Sequence, residues 1–179
     1  MSIFEIFGWK RPPASAEEET ETVRRIAREL GALPPERARF VAAFAFVLAR
    51  VAHADRDFGE QETTKMEELV RTVGELPEAQ ATLAVEIAKS QNRLFGSTEN
   101  FLVTRELAQN ATPEERRHLL ECLFAVSAAD QTISAEEEAQ LRQIASELGF
   151  ERAEFVAVRS AWSEHRSVLK SLRERGPDP

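Results

Sequence analysis

Along most of this chain apolar residues recur every three or four positions, the period of helices that bury one face. Phe40, Val41, Phe44, Val47, Leu48 and Val51 form one such stripe behind Pro34-Pro35 and predict a helix that stops near Ala54. Met66, Leu69, Val70 and Val73 predict another from about Glu60, with Gly74 after it. Leu119, Leu120, Leu123, Phe124 and Val126 predict a third behind Thr112-Pro113-Glu114-Glu115, which carries an N-cap, a proline in the first turn and an acid at the third position. Ser134 opens a further helix that ends before Gly149. Weaker stripes predict helices from Ser15 (with Glu18 closing a capping box) to Leu30, from about Pro77 to Gln91, and from Ser97 to Asn110. A last helix starts near Arg152 and runs through Phe155, Trp162, Val168 and Leu172. Gly31 is expected to supply a left-handed residue after Leu30. No long alternating pattern calls for strands.

The pattern therefore predicts an all-α, single-domain helical bundle of about seven to eight helices, in which two helix–loop–helix repeats are related by a pseudo-twofold axis. Residues 1–14 read as an apolar N-terminal segment and linker, 15–175 as the helical domain, and 176–179 as a polar tail. Composition supports this. The 179 residues include no tyrosine, and a chain of this length buries about 70% of its extended surface without needing disulfides. A formal charge of -8 argues against a nucleic-acid partner. Cys122 is the single cysteine, which suits a reducing cytoplasm. No apolar run approaches the length of a membrane span, and no secretory leader is visible at the start.

The repeat carries the main clue to function. Leu48-Ala-Arg-Val-Ala-His-Ala-Asp55-Arg-Asp-Phe58-Gly-Glu-Gln-Glu62 aligns without a gap on Leu123-Phe-Ala-Val-Ser-Ala-Ala-Asp130-Gln-Thr-Ile133-Ser-Ala-Glu-Glu137, an offset of 75 residues. Each copy (about 38–73 and 113–148) is an apolar helix, a tight loop opening with Asp, one apolar plug at Phe58 or Ile133, and a second helix with Glu in its first turn. Paired about a twofold axis, each copy would cover the apolar face of the other.

The motif Ala-x-Ala-Asp-x-x-apolar-x-x-x-Glu, with Ser for the first Ala in the second copy, resembles the TerB-like proteins of the tellurite resistance B type. That family is related to the N-terminal domain of a membrane-anchored DnaJ-like co-chaperone. The resemblance spans roughly Ala38 to Trp162 and is best over Leu102 to Trp162. It implies a non-enzymatic binding module in a stress or tellurite-type response, with a protein partner and with acids suspected of holding a divalent cation such as Ca²⁺ or Mg²⁺. Carried onto matching positions, the metal candidates are Asp55, Glu62, Asp130 and Glu137, with Asp57 auxiliary. The family usually has glycine after the motif Asp, where Arg56 and Gln131 stand here.

Each candidate has a structural reading beside the functional one. Ser134 and Glu137 fit a capping box, with Gly59 and Glu62 at the same places in the first copy. Asp55 and Asp130 suit loops in which a carboxylate accepts backbone N–H groups. The loops are not EF-hands: the twelfth position from either Asp is Met66 or Leu141, where a bidentate Glu is required. Glu115-Arg-Arg-His118 matches half of a di-iron motif, but it occurs once and Glu115 falls in a capping box. Cys122 reads as a partly buried, inert thiol, and Glu136-Glu137-Glu138 as solvated first-turn acids. Two rival functions stand beside the binding module. One is a metal-dependent enzyme using the same carboxylates, which lacks a spare base or nucleophile. The other is a membrane-peripheral adaptor using Ile3, Phe4, Ile6, Phe7 and Trp9, for which packing on the core or on a partner is preferred.

Overall fold

The computed structural model describes residues 21–52, 60–90, 100–129 and 131–166. These form α1 (Glu21–Gly31), α2 (Pro35–Val51), α3 (Glu60–Thr72), α4 (Glu78–Ser90), α5 (Asn100–Asn110), α6 (Pro113–Ser127), α7 (Ala135–Glu147) and α8 (Arg152–Ser160), then a 3-10 turn at Ser163–His165. No strand occurs among the described residues; one isolated bridge pairs Ile133 with Arg166 in parallel. The protein is all-helical, as its apolar periodicity predicts. The capping box at Ser15, the plug Phe58, Val168, Leu172, the apolar residues 1–9 and the tail lie outside the described residues.

The core is organised by α2. Every residue from Phe40 to Ala49 is buried, and the helix packs on α1, α4, α5, α6 and α7. A helix that is apolar on all sides has no solvent face to present, so it becomes the centre about which the others are laid. Alanines at 42, 43, 45 and 49 alternate with Val41, Phe44, Phe46, Val47 and Leu48, and these small residues leave room for neighbouring helices to approach. Leu119, Leu120, Leu123 and Phe124 of α6 and Leu141 and Ile144 of α7 complete the same core. Burying each such side chain stabilises the fold by about 1.5–3 kcal/mol.

Local chemistry sets the helix ends. At α6, the Thr112 hydroxyl accepts the Glu115 N–H at 3.1 Å, and the Glu115 carboxylate accepts the Thr112 N–H at 2.9 Å. At α7, Ser134 and Glu137 repeat this reciprocal pair at 3.1 and 2.8 Å. Gly149, at φ 82°, closes α7 in the left-handed region, while the Phe150 N–H reaches back to the Ala145 carbonyl at 2.9 Å. Gly74 serves close approach instead: a Cβ there would lie 2.5 Å from the Val70 carbonyl oxygen and 3.0 Å from the Phe44 ring.

Two expectations are corrected. Gly31 is not left-handed; the only positive-φ glycine among the described residues is Gly149. α1 runs through Gly31, the Ala32 N–H still bonds to the Arg28 carbonyl at 3.1 Å, and Pro34, which restricts Leu33 before it, stops the helix. The last helix does not pass through Trp162 but ends at Ser160. The N–H groups of Ala161 and Trp162 tighten to i→i+3 bonds, and the Trp162 ring stacks on Phe124 with centroids 6.4 Å apart. The chain then turns so that the His165 carbonyl accepts the Ile133 N–H at 2.7 Å.

Candidate functional site

The acidic motif loops follow α2 and α6. Asp55, Asp57 and Asp130 lie outside the described residues, so the frame around them defines the site. Two hydrogen bonds cross that frame. Lys65 Nζ of α3 donates to the Ala129 carbonyl at 2.7 Å, and Gln140 Nε2 of α7 donates to the Arg50 carbonyl at 2.5 Å. Lys65 and Gln140 occupy the same place in the 75-residue register. Thus α3 supplies a donor to a carbonyl just beyond the end of α6, and α7 supplies one to a carbonyl in the last turn of α2. The last carbonyls of a helix generally lack intrahelical donors, and a cation near them also meets the negative end of the helix dipole.

Arg50, one turn before the first loop, is anchored in the interior. Its guanidinium donates to Thr104 Oγ1 at 2.7 Å and to both carboxylate oxygens of Glu147, at 2.5 and 3.3 Å. The Arg50 and Glu147 side chains are only 8% and 5% exposed. Gln143 donates to the same carboxylate at 3.0 Å. A buried ion pair is tolerated only when both charges are compensated in this way. The effect is to fix the end of α2 against α5 and α7.

The second junction is fastened by its own residues. Ile133 is 1% exposed, as an apolar plug should be. Gln131 stands at φ 71°, with its N–H on the Ala128 carbonyl at 2.8 Å. A glycine at this position would take that left-handed conformation freely; glutamine adopts it at some steric cost. Glu137 lies in the cap of α7, one oxygen on the Ser134 N–H. Glu62 lies on an exposed part of α3. Among the described residues no three His, Cys, Asp or Glu side chains are grouped as metal ligands.

Glu138 departs from its expected place. It is not a solvated acid but a buried one, bonded by Arg159 at 3.0 Å and by Arg166 Nε and Nη2 at 2.7 and 2.9 Å. Burial alone would push its carboxyl up; hydrogen bonds and charge from Arg166, then Arg159, outweigh this and hold it below the usual glutamate range. Helical spacing was the available signal, since Glu138 shares a face with Leu141 and Ala145. Arg50 and Glu147, 97 positions apart, gave no such signal.

The remaining chemical candidates are absorbed structurally. Cys122 is wholly buried rather than partly, and burial pushes its thiol up to about 12, far from a reactive thiolate. His118 Nδ1 lies 3.4 Å from Glu75, while Glu115 is taken by its cap and by Arg37 at 3.1 Å. The two members of the Glu-x-x-His spacing therefore face different partners.

An all-α domain whose central apolar helix is surrounded by shorter ones is the class these observations define. The family model described as Tellurite resistance protein TerB matches residues 41–160, and the chain belongs to that family. No curated protein and no solved structure gives a significant match. No helix among the described residues is long and apolar enough to cross a membrane.

Proposed function

We propose that this protein is a non-enzymatic interaction module of the tellurite-resistance B type. It works in a stress response through contact with a protein partner, in the cytoplasm, and its contact face is tuned by a hard divalent cation. The carboxylates in question are Asp55, Glu62, Asp130 and Glu137, with Asp57 auxiliary. One observation supports this reading above the others: the crossed pair of hydrogen bonds from Lys65 and Gln140 ties the end of each motif's first helix to the partner motif. Tied in this way, two short loops that each offer few ligands can act at one end of the molecule. Carboxylates without a Cys or His cluster favour Ca²⁺ or Mg²⁺ over softer metals. The duplication of the motif at a 75-residue offset belongs to the same proposal. Lys65 adds an asymmetry. Its ammonium abuts the second loop and opposes a further cation there, whereas the neutral Gln140 faces the end of α2, so the first loop, with Asp55 and Asp57, is the stronger of the two.

Calorimetric titration of metal-stripped protein with Ca²⁺, Mg²⁺, Mn²⁺ and Zn²⁺ tests the reading. The expected result is weak binding of the hard ions that disappears in Asp55→Asn/Asp130→Asn at unchanged melting temperature. Absence of any binding heat, or affinity unaltered by the double substitution, removes the cation from the proposal.

A further inference from the structure

The family match ends at residue 160, and the chain continues as a short segment laid over the second motif junction. Three contacts of different kinds hold it. Trp162 stacks on Phe124 with rings inclined by 11°. The Ile133 N–H bonds to the His165 carbonyl at 2.7 Å, in a parallel bridge. Arg166 forks onto the Glu138 carboxylate. An aromatic seat, a backbone hydrogen bond and a bidentate charge are means by which domains take up short peptides. The segment lies at the rim of the core: Ala161 and Glu164 are exposed, and Trp162, Ser163, His165 and Arg166 are half-buried. Its fit is also imperfect, because His165 Nδ1 is shut off from solvent without a hydrogen-bond partner, and such atoms are a cost to the structure that holds them.

We propose that the α6–α7 face is a docking groove for a short, turned peptide of a partner protein bearing an aromatic residue and, four positions on, an arginine, and that Trp162–Arg166, wound through its 3-10 turn, fills this groove in cis. Phe124 seats the aromatic ring, Ile133 supplies the backbone donor and Glu138 selects the arginine. Charge complementarity names the occupant: Arg159 donates to Oε1 of Glu138, whereas Oε2 takes its hydrogen bond from Arg166, so an acidic or purely apolar peptide leaves half of a buried carboxylate without its donor. A tethered segment competes at an effective concentration in the millimolar range, so a partner's peptide enters only when the tether is displaced or outcompeted. This inference rests on the interaction-module reading but not on its cation loops.

The test uses the full chain and a fluorescein-labelled peptide of residues 160–168, followed by polarisation. Trp162→Ala/Arg166→Ala, which empties the groove, should bind the peptide at least about tenfold more tightly than the intact protein. Adding Glu138→Gln, or changing Arg166 to Ala in the peptide, should abolish that gain. Equal binding by the two proteins, no binding by the emptied variant, or indifference to Glu138→Gln overturns the groove. Should the double variant fail to fold, hydrogen exchange in the intact protein decides. The Ile133 amide should open about a hundredfold more readily than the amides of Leu123 and Ile144. Equal protection would make the segment part of the core and sink the proposal. Cation binding that survives a failed peptide test removes the groove alone; failure of both removes the interaction reading with it.

Discussion

Two helix pairs of the molecule, α2–α3 and α6–α7, are secured by different means. In the first, α2 is buried on every side, while α3 buries only Met66 and Val70. In the second, α6 leaves Glu114 and Arg117 at the surface, while α7 buries Glu138, Leu141, Ile144 and Ala145. The first half draws its stability from its leading helix and the Arg50–Glu147 pair at its end. The second draws it from the junction itself, through Ile133, the Ser134–Glu137 cap and the segment pinned to Glu138.

The largest effect should come from the buried pair. Glu147→Ala strands the Arg50 guanidinium with Thr104 alone and should destabilise by about 3–5 kcal/mol in urea denaturation, whereas Arg50→Met/Glu147→Leu should recover most of the loss. A loss under 1 kcal/mol for the single change would show that α2 does not depend on the pair. Next comes the plug. Ile133→Ala should cost about 2–5 kcal/mol, because the cavity lies inside packed core; a near-neutral result would remove the second half's claim to a tied junction.

Acid should act on the second half through Glu138. Its folded-state pKa is depressed, so its contribution is present above the ordinary glutamate value of about 4.3 and is lost as pH falls through the lower folded value. Thermal melts between neutral pH and pH 3 should therefore show an acid limb that Glu138→Gln flattens, with about 2 kcal/mol lost at neutral pH from the charge-assisted bonds. An unchanged acid limb would place the titration elsewhere. The smallest effects are local and opposite in sign. Ser134→Ala should destabilise by about 1 kcal/mol through the lost cap. Gln131→Gly should stabilise by about 0.5 kcal/mol, since relief of the left-handed backbone slightly exceeds the added freedom of the unfolded chain.

Local chemistry was legible in the sequence. The caps at Thr112 and Ser134 are side-chain bonds to backbone three residues away, and a sequence displays such spacing directly. The inward stripes of α2 and α6 were legible for the same reason, and so was the burial of Ile133. Tertiary choices were not. The end of α8 is set by where Trp162 finds Phe124 and where His165 finds Ile133, neither of which the helical period reveals. Gly31 followed the usual rule for a helix end, but Pro34 had already supplied the stop. In the run Glu136 to Glu138 three like residues look alike, and only the facing arginines, 21 and 28 positions away, distinguish the buried one.

The central claim, that the two acidic loops act together as one cation-tuned contact end, is most directly tested by following backbone amide resonances of the intact, metal-stripped protein during addition of Ca²⁺. The account predicts saturable shifts at the residues bordering both loops, Ala52 and Glu60 for the first and Ala129 and Gln131 for the second. The first pair should move at lower Ca²⁺, and the shifts should vanish in Asp55→Asn/Asp130→Asn. Shifts confined to other surfaces, or none at all while the spectrum remains that of the folded protein, would contradict it.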